Sequence, residues 1–388
     1  MRSTRTALPG AMSPDGRTTA GTGNGSRRAL IAADLALALI LLAGAGLMLK
    51  SVSALLRSDP GFDPSNTLTV QFSLVGRAYA EDPAVRAFQD HVLERVRALP
   101  GVEHAALTGQ VPLGGNSDGW SFHIEGKPVG NELAPGVERY SVSPDYFAAM
   151  RIPILRGRGI SYTDSATSEP VIVLANRTAV EMFPGEDPIG HRVRLGDQRP
   201  WSRVVGIAGD VRHHSLDGAP NLQVYLPQAQ FTDSFLVLVV RTRTEGSEQL
   251  TPAIREIVRV LDPGVPVYEV ATMRALVERA ASRQRFVMRL LMGFAGLAVL
   301  LAAIGLYGVV SYTVARRARE LGVRMALGAS PRDVAGLVMS DAAAPIAAGV
   351  SIGIAGALLL TRYLESLLFG VEPRDAGTFA AAVVVLAV

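Results

Sequence analysis

The pentapeptide Gly115-Asn116-Ser117-Asp118-Gly119 is where this 388-residue chain comes nearest to a nucleophile motif. A serine at this spacing between glycines can be presented on a sharp turn, but only where a strand enters that turn and a helix leaves it. Here a strand follows, so a loop is expected, and Ser117 is the only support for a membrane-tethered hydrolase. His213-His214 offers two imidazoles without further histidines or carboxylates at ligand spacing, so an exposed loop pair is expected and no metal site. Cysteine is absent, which excludes disulfides, thiolate metal centres and a cysteine nucleophile. A phosphate-binding loop needs Gly-Lys-Ser/Thr after a strand, whereas Lys50 follows Leu49 and Lys127 precedes Pro128. The polypeptide therefore cannot hydrolyse ATP by that route, and no catalytic, cofactor-binding or metal-ligating residue is assigned.

The elements that would position any site begin with apolar helices. Mean hydropathy is +0.26 and only 19% of residues are charged, values that point to membrane segments. A hydrocarbon core of about 30 Å needs about 20 apolar residues in helix. Runs 29–49, 290–315 and 342–361 qualify. A fourth, 376–388, reaches only about 20 Å at about 1.5 Å per residue, so four spans with the last truncated, and hence a fragment, are expected. All but two of the 38 basic residues are arginine and they are dispersed, so no nucleic-acid footprint is present. Arginines crowd the leader 1–28 and the loop 316–333, which places both in the cytoplasm and residues 51–285 on the far side. The leader is rich in Ser, Thr, Gly and Arg and reads as a flexible cytoplasmic tether; span 29–50 reads as an uncleaved signal anchor, since Lys50-Ser51 is no cleavage site. Asp34 lies about 9 Å into that span, within reach of the headgroups or an arginine.

Strand-like alternation at 67–74, a helix from Asp82-Pro83 with Val85, Phe88, Val92, Val96 and Leu99 on one face, and a strand at 102–107 form a strand–helix–strand unit. The order returns as a strand at 235–243, a helix at 247–261 and a strand at 265–270. Two such halves predict an α+β domain with a ferredoxin-like sheet covered by two helices. Between them, about 110–232, a Gly/Pro-rich stretch reads as an inserted, mostly β subdomain. It has strands near 120–124, 171–174, 203–207 and 223–226 and short helices at 143–150 and 176–183. After Thr272 the helix 273–286 has no breaker before the second span, so one stiff rod is expected to carry force from the outer domain into the membrane.

The loop between the second and third spans is the most informative segment. Residues 316–327 read as a short basic helix ending at Gly328. Ser330-Pro331-Arg332-Asp333 has the form of a capping box that starts the next helix. Leu321, Val323, Met325 and Leu327 among charges suit docking on a soluble partner, with a position on anionic lipid as the less favoured alternative. Gly349 and Gly353, with Gly356 one turn on, form a close-packing face within the bundle or across a dimer.

These segments carry a resemblance. ARRARELGVRMALGASPRDV (315–334) is similar to the signature cytoplasmic loop of the FtsX/MacB superfamily of ABC transporter permeases, and LTRYLESLLFGV (360–371) resembles its last external turn. SPDYFAAMRIPILRGR, FPGEDPIGHRVRLG and VVGIAGDVRHHSLDGAPNLQVYLP resemble the MacB-type periplasmic core. The likeness runs from about residue 27 to the end. It implies a MacB-like core at 51–285 and an FtsX-like permease domain at 286–388, in a multi-pass protein of the bacterial inner membrane with its large domain in the periplasm. It further implies a non-catalytic permease subunit, with ATP-Mg on a separate cytoplasmic ABC ATPase, and a second permease copy or half as partner. ATP hydrolysis would then move the outer domain mechanically against a periplasmic substrate or partner, in efflux or release. On that resemblance Glu320, Leu321, Gly322, Arg324, Met325, Leu327 and Gly328 contact the ATPase. The Gly/Ser/Thr/Arg leader looks like the linker of tandem-duplicated orphan permeases, of which this would be the C-terminal half. The alternative is an FtsX-like signalling protein that regulates a periplasmic partner such as a cell-wall enzyme.

Overall fold

The structure, a computed structural model, describes residues 22–127, 134–327, 329–364, 368–372 and 374–387. Two compact units emerge from the contacts: Leu55–Arg283, and the helices that flank it in sequence. Helix α1 (Thr22–Arg57) is longer than the apolar run that seeds it. Residues 22–28, expected in the tether, belong to this helix: no proline lies between Thr22 and Arg57, so the ladder propagates outward from the apolar segment. The remainder of the leader lies outside the described residues.

The Leu55–Arg283 unit begins with β1 (Thr67–Ser73), α2 (Asp82–Arg97) and β2 (Val102–Thr108). Its middle holds β3 (Gly119–Ile124), β4 (Gly136–Val142), α3 (Tyr146–Met150), β5 (Ile154–Gly157), β6 (Val171–Ala175) and α4 (Asn176–Met182). Then follow β7 (Arg192–Leu195), β8 (Ser202–Ala208), β9 (Gln223–Pro227), β10 (Phe235–Thr242), α5 (Thr251–Leu261), β11 (Val267–Thr272) and α6 (Met273–Ala280). Four strands run in the order β11–β1–β10–β2, each antiparallel to its neighbour. One face carries Leu68, Val70, Phe72, Leu236, Leu238 and Val240 against Val85, Phe88, Val92 and Val96 of α2 and Ile254 and Val258 of α5. The other carries Ala106, Val237, Val239 and Ala271 against α3 and α6, through Tyr146, Phe147, Met150, Met273 and Leu276. Burial on both faces is why β10 reads as an unbroken apolar run.

Several boundaries move for local reasons. Helix α2 starts at Asp82, as its Asp-Pro start leads one to expect, with Glu81 in the capping position. Residues Ser247–Leu250 form a 3₁₀ turn ahead of α5, because Pro252 has no amide hydrogen to continue an α ladder through that point. Strand β11 starts at Val267 because Pro266 cannot donate to the sheet.

The middle segment is joined to the sheet by hydrogen bonds. Strand β4 pairs with β2 at Thr108–Val142, making one 11-stranded sheet. Beyond β4 the pairings close on themselves: β4–β3–β7–β8–β6–β9 and back to β4, with β5 beside β8. Closure removes the free edges that a set of short strands would otherwise expose. Ile172, Leu174, Val193, Leu195, Val204, Val224 and Leu226 alternate along these strands into one apolar cluster with Phe122 and Phe183. Strands β4, β5 and β7 had no expectation in the sequence; GVERYSV, ILRG and RVRL carry arginines at the polar positions of short segments. At Gly157 a close approach is required: its φ is 69°, and a Cβ would sit 2.3 Å from the carbonyl oxygen of Val205.

Helix α6 ends at Ala280 and α7 (Ser282–Arg316) begins after one residue. The expected unbroken rod 273–286 is therefore interrupted at Ala281, which is fully buried with φ −87° and ψ 0°. Its amide still bonds Val277, and the ψ near zero turns the next peptide out of the ladder. The remaining helices are α8 (Ala318–Ala326), α9 (Pro331–Leu364) and α10 (Ala376–Ala387). Three stretches, Ala29–Arg57, Ser282–Arg316 and Ala343–Arg362, are long and apolar enough to cross a membrane, and Ala376–Leu386 is a shorter apolar helix. Ile31 and Leu35 of α1 cluster with Ala302 and Val309 of α7, Ile346 of α9 and Leu386 of α10. Lys50 bonds Asp375 at 2.5 Å, and Asp375 also caps α10 through the amide of Thr378 at 2.8 Å.

Because Leu238 is fully buried on the helix-covered face of β10, Leu238→Ala should destabilise this unit by about 2–5 kcal/mol. Amide hydrogen exchange in β1, β10 and β2 measures it; unchanged protection would contradict the described packing.

Candidate functional site

Helix α8 is short because the chain turns on both sides of it. Arg317 leaves helical geometry at φ −101° and ψ 11°, separating α8 from α7 where one helix over 316–327 was expected. At the other end the amide of Leu327 bonds Val323 at 3.0 Å and that of Ala329 bonds Arg324 at 3.0 Å, wrapping the last turn. Gly328 lies outside the described residues. Helix α9 starts at Pro331, whose missing amide hydrogen costs nothing in a first turn; the side chain of Asp333 lies outside the described residues.

Within α8, Leu321 is buried. Val323, Met325 and Leu327 are 59%, 50% and 83% exposed. Glu320 and Arg324 pair at 3.0 Å across one helical turn, both half exposed, a contact worth a few tenths of a kcal/mol. Gly322 is partly covered. One apolar side chain thus anchors the helix while three others stay uncovered, flanked by arginines. Exposed rows of large apolar side chains of this kind are contact surfaces for another protein or for a membrane.

The glycines of α9 lie against α1. A Cβ on Gly349 would stand 2.8 Å from the carbonyl oxygen of Ala32, and one on Gly353 would stand 2.9 Å from the Leu39 side chain and 3.1 Å from the Ala36 Cα. At Gly356 the nearest atom is Ile40 Cδ1, at 2.8 Å. Without side chains there, the α1 backbone seats directly on α9. Of the two uses open in the sequence, bundle packing or a seam between copies, these glycines make the first. Asp34 is half-buried and faces α7: its carboxylate is 3.7 Å from where a Cβ on Gly305 would lie.

The candidate chemistry in Leu55–Arg283 resolves into a loop network. Strand β3 starts at Gly119, so Ser117 precedes a strand and no nucleophile turn forms. The Ser117 hydroxyl donates to Glu138 Oε1 at 3.0 Å, His214 Nε2 lies 3.2 Å from the same oxygen, and the Asp118 amide donates to Oε2 at 3.2 Å. Burial pushes the Glu138 carboxyl up, but these hydrogen bonds outweigh it and hold the group below its usual range. His213 is not the exposed neighbour that was expected: it is buried with its ring 4.6 Å from Tyr140, edge to face, and Nε2 3.2 Å from the Asn116 carbonyl. Burial, reinforced by His214, lowers its pKa to about 4. Ser117 and His214 therefore share one carboxylate oxygen and make no hydrogen bond to each other, an arrangement that fastens a loop and cannot pass a proton from serine to histidine. No group of three or more His, Cys, Asp or Glu side chains among the described residues is placed to hold a metal ion.

The residues that sequence reasoning missed are Glu138 and Arg139. Arg139 is buried and bonds both Asp118 and Asp233, the latter at 3.0 Å. Adjacent opposite charges set among Val137, Tyr140 and Val142 were the available signal.

Comparison with known proteins follows the same division. Residues 31–270 match the family described as MacB-like periplasmic core domain, and residues 292–388 match FtsX-like permease C-terminal. The macrolide export ATP-binding/permease protein MacB of Hahella chejuensis is 27% identical over 233 residues, 57% of this chain and 35% of that protein. The pyoverdine export ATP-binding/permease protein PvdT of Pseudomonas putida is 28% identical over 243 residues, 60% of this chain and 37% of that protein. PvdT of Pseudomonas entomophila is 25% identical over 321 residues, 79% and 46% of the two chains. The chain thus spans between a third and a half of the length of these relatives. The periplasmic region of MacB from Actinobacillus actinomycetemcomitans aligns at TM-score 0.40 and 16% identity, over 58% of this chain and 96% of that one.

Two outcomes follow from this geometry. Gly349→Val should lower the melting temperature of the full chain in detergent, because its side chain meets α1 backbone that cannot rotate away; an unchanged transition would contradict the α1–α9 contact. For His213 the folded state takes up a proton only near pH 4 and the unfolded chain near 6.5. Stability is therefore full above pH 6.5 and falls as pH drops to 4, by about 3 kcal/mol in all. His213→Gln should flatten the fall in melting temperature across that window.

Proposed function

The chain belongs to the family defined by the MacB-like periplasmic core domain, with an FtsX-like permease region after it, and from this premise we propose that it is the permease component of an ABC transporter. Hydrolysis of ATP takes place on a separate cytoplasmic ATPase, and this chain converts it into movement of the Leu55–Arg283 unit outside the membrane. The observation that carries the reading is α8: a short helix between two long apolar helices, anchored by Leu321, with Val323, Met325 and Leu327 uncovered. A soluble subunit that buries what remains exposed of those three side chains gains roughly 1–2 kcal/mol for each. Glu320, Gly322 and Arg324 lie on the same helix, and with Gly328 they complete the contact surface proposed for the ATPase.

Arginine placement supports an orientation with α8 in the cytoplasm and the β-rich unit beyond the opposite face of an inner membrane. We read α1, α7, α9 and α10 as its four membrane helices, with a second permease copy or half completing the transporter. The sheet order β11–β1–β10–β2, with α2 and α5 on one face, we read as ferredoxin-like. Ala281, the single interruption between α6 and α7, is the point at which bending would accompany each cycle. The relatives named above are exporters of macrolides and of pyoverdine, which favours efflux or release over signalling as the outcome of that motion.

Met325→Asp tests the reading. A charge at the centre of the uncovered row should cut recovery of the cognate ATPase subunit by at least about ten-fold in co-purification from membranes. The side chain is half exposed, so the melting temperature of the permease should not move. Equal recovery with wild type would remove α8 as the coupling element.

A further inference from the structure

One end of the closed ring of strands holds a cavity that the proposed transport function does not use. Its volume is about 130 Å³, and it lies where β6 and β8 begin and β7 and β9 end. That is the size class which, lined by aliphatic and aromatic side chains, accepts a single six-membered ring in a protein interior. Ile172, Val193, Leu195, Leu226 and the ring of Phe231 supply such a lining here.

Two hydrogen-bond donors on the same wall are unspent. The guanidinium carbon of Arg199 sits 3.8 Å from the centroid of Phe231, and that of Arg139 sits 3.9 Å from the same centroid. Both cannot share one face of the ring, so Phe231 is clasped between two cations. The charge of Arg139 is met by Asp118 and Asp233. Arg199 makes no hydrogen bond or ion pair among the described residues. Its stacking on Phe231 fixes the plane of the guanidinium and leaves its in-plane donors open. Ser202, buried on the same wall, likewise makes no side-chain hydrogen bond among the described residues. A fixed guanidinium and a hydroxyl beside a ring-sized apolar cavity match a carboxylate with a compact apolar body. A phosphate or a zwitterion would carry charge into the apolar part of the cavity, where nothing receives it.

We propose that this cavity is a binding site for a small aromatic or branched aliphatic monocarboxylate. Its carboxylate lies against Arg199 and Ser202, and its body packs on Ile172, Leu226 and Phe231. The site stands independently of the coupling role of α8.

The test uses the full chain in lipid nanodiscs at pH 7.5, with 4-fluorobenzoate as probe and its ¹⁹F line width as readout. Saturable broadening is expected for wild type. The neutral isostere 4-fluorobenzamide and the cation 4-fluorobenzylamine should bind at least ten-fold more weakly. Arg199→Gln should weaken 4-fluorobenzoate at least ten-fold while leaving the melting temperature unchanged, since the residue is exposed at the rim. Ser202→Ala should weaken it several-fold, and Ile172→Trp, which fills the cavity, should abolish saturation. Absence of saturable binding to wild type, equal affinity for the amide, or wild-type affinity in both Arg199→Gln and Ile172→Trp would each overturn the proposal.

Discussion

The architecture of Leu55–Arg283 depends on one seven-residue strand whose two edges serve three partners. Strand β4 pairs along one edge with β3 and then β2, and along the other with β9. Every peptide group of a buried strand must find a partner, so this double engagement ties the closed ring to the open four-stranded part without a linker. The alternation of β4 then assigns its side chains. Val137, Arg139 and Ser141 face the cluster around Phe231, while Tyr140 and Val142 face the cluster under α3. Placing a guanidinium on an interior face is tolerable only with full compensation, which Asp118 and Asp233 provide from two other segments. The loop carrying Gly115 to Gly119 is thereby held by charge, and its serine is a fastener.

A second buried arginine shows the same logic at the other end of the sheet. Arg241 on β10 is 1% exposed, and its guanidinium bonds the carbonyls of Ala149, Ser65 and Asp63. Burial lowers its pKa, and the neighbouring Asp63 carboxylate opposes that shift. These bonds seat the segment before β1 and the end of α3 on the sheet, where Arg151 adopts a left-handed φ of 52° and bonds the same Asp63. In the helical unit the Lys50–Asp375 pair is accompanied by apolar backbone contact. Glycines at Gly349, Gly353 and Gly356 permit backbone contact, so that α9 and α1 pack closely along these long apolar helices.

How far these features were legible depended on the range of the interactions behind them. The β1–α2–β2 and β10–α5–β11 units were visible because their apolar periodicities are local and strong, and the apolar helices because their runs are long. Strands β4, β5 and β7 were not, since each is short and half polar, and each exists through partners far away in sequence. The helix 273–286 looked continuous because Ala281 is a good helix former; the interruption there is a local departure of ψ to 0° that no residue type announces. Ser117 and His214 were noticed as candidates, but the carboxylate between them, Glu138, could not be linked to either until β4 brought it alongside.

The amino-acid sequence by itself determined the apolar helices, their arginine flanks, the short α8 segment with its row of apolar side chains, and the repeated strand–helix–strand order. Each is written in composition and in periods of two or 3.6 residues, which need no distant partner to be read. Only the tertiary structure decided that the middle strands close into a ring, that the α9 glycines meet α1, that His213 is buried, and that Arg199 stands beside an apolar cavity without an ion pair among the described residues. Those outcomes rest on which backbone groups and charges find one another across long stretches of chain, and pairing of that kind leaves no periodic trace.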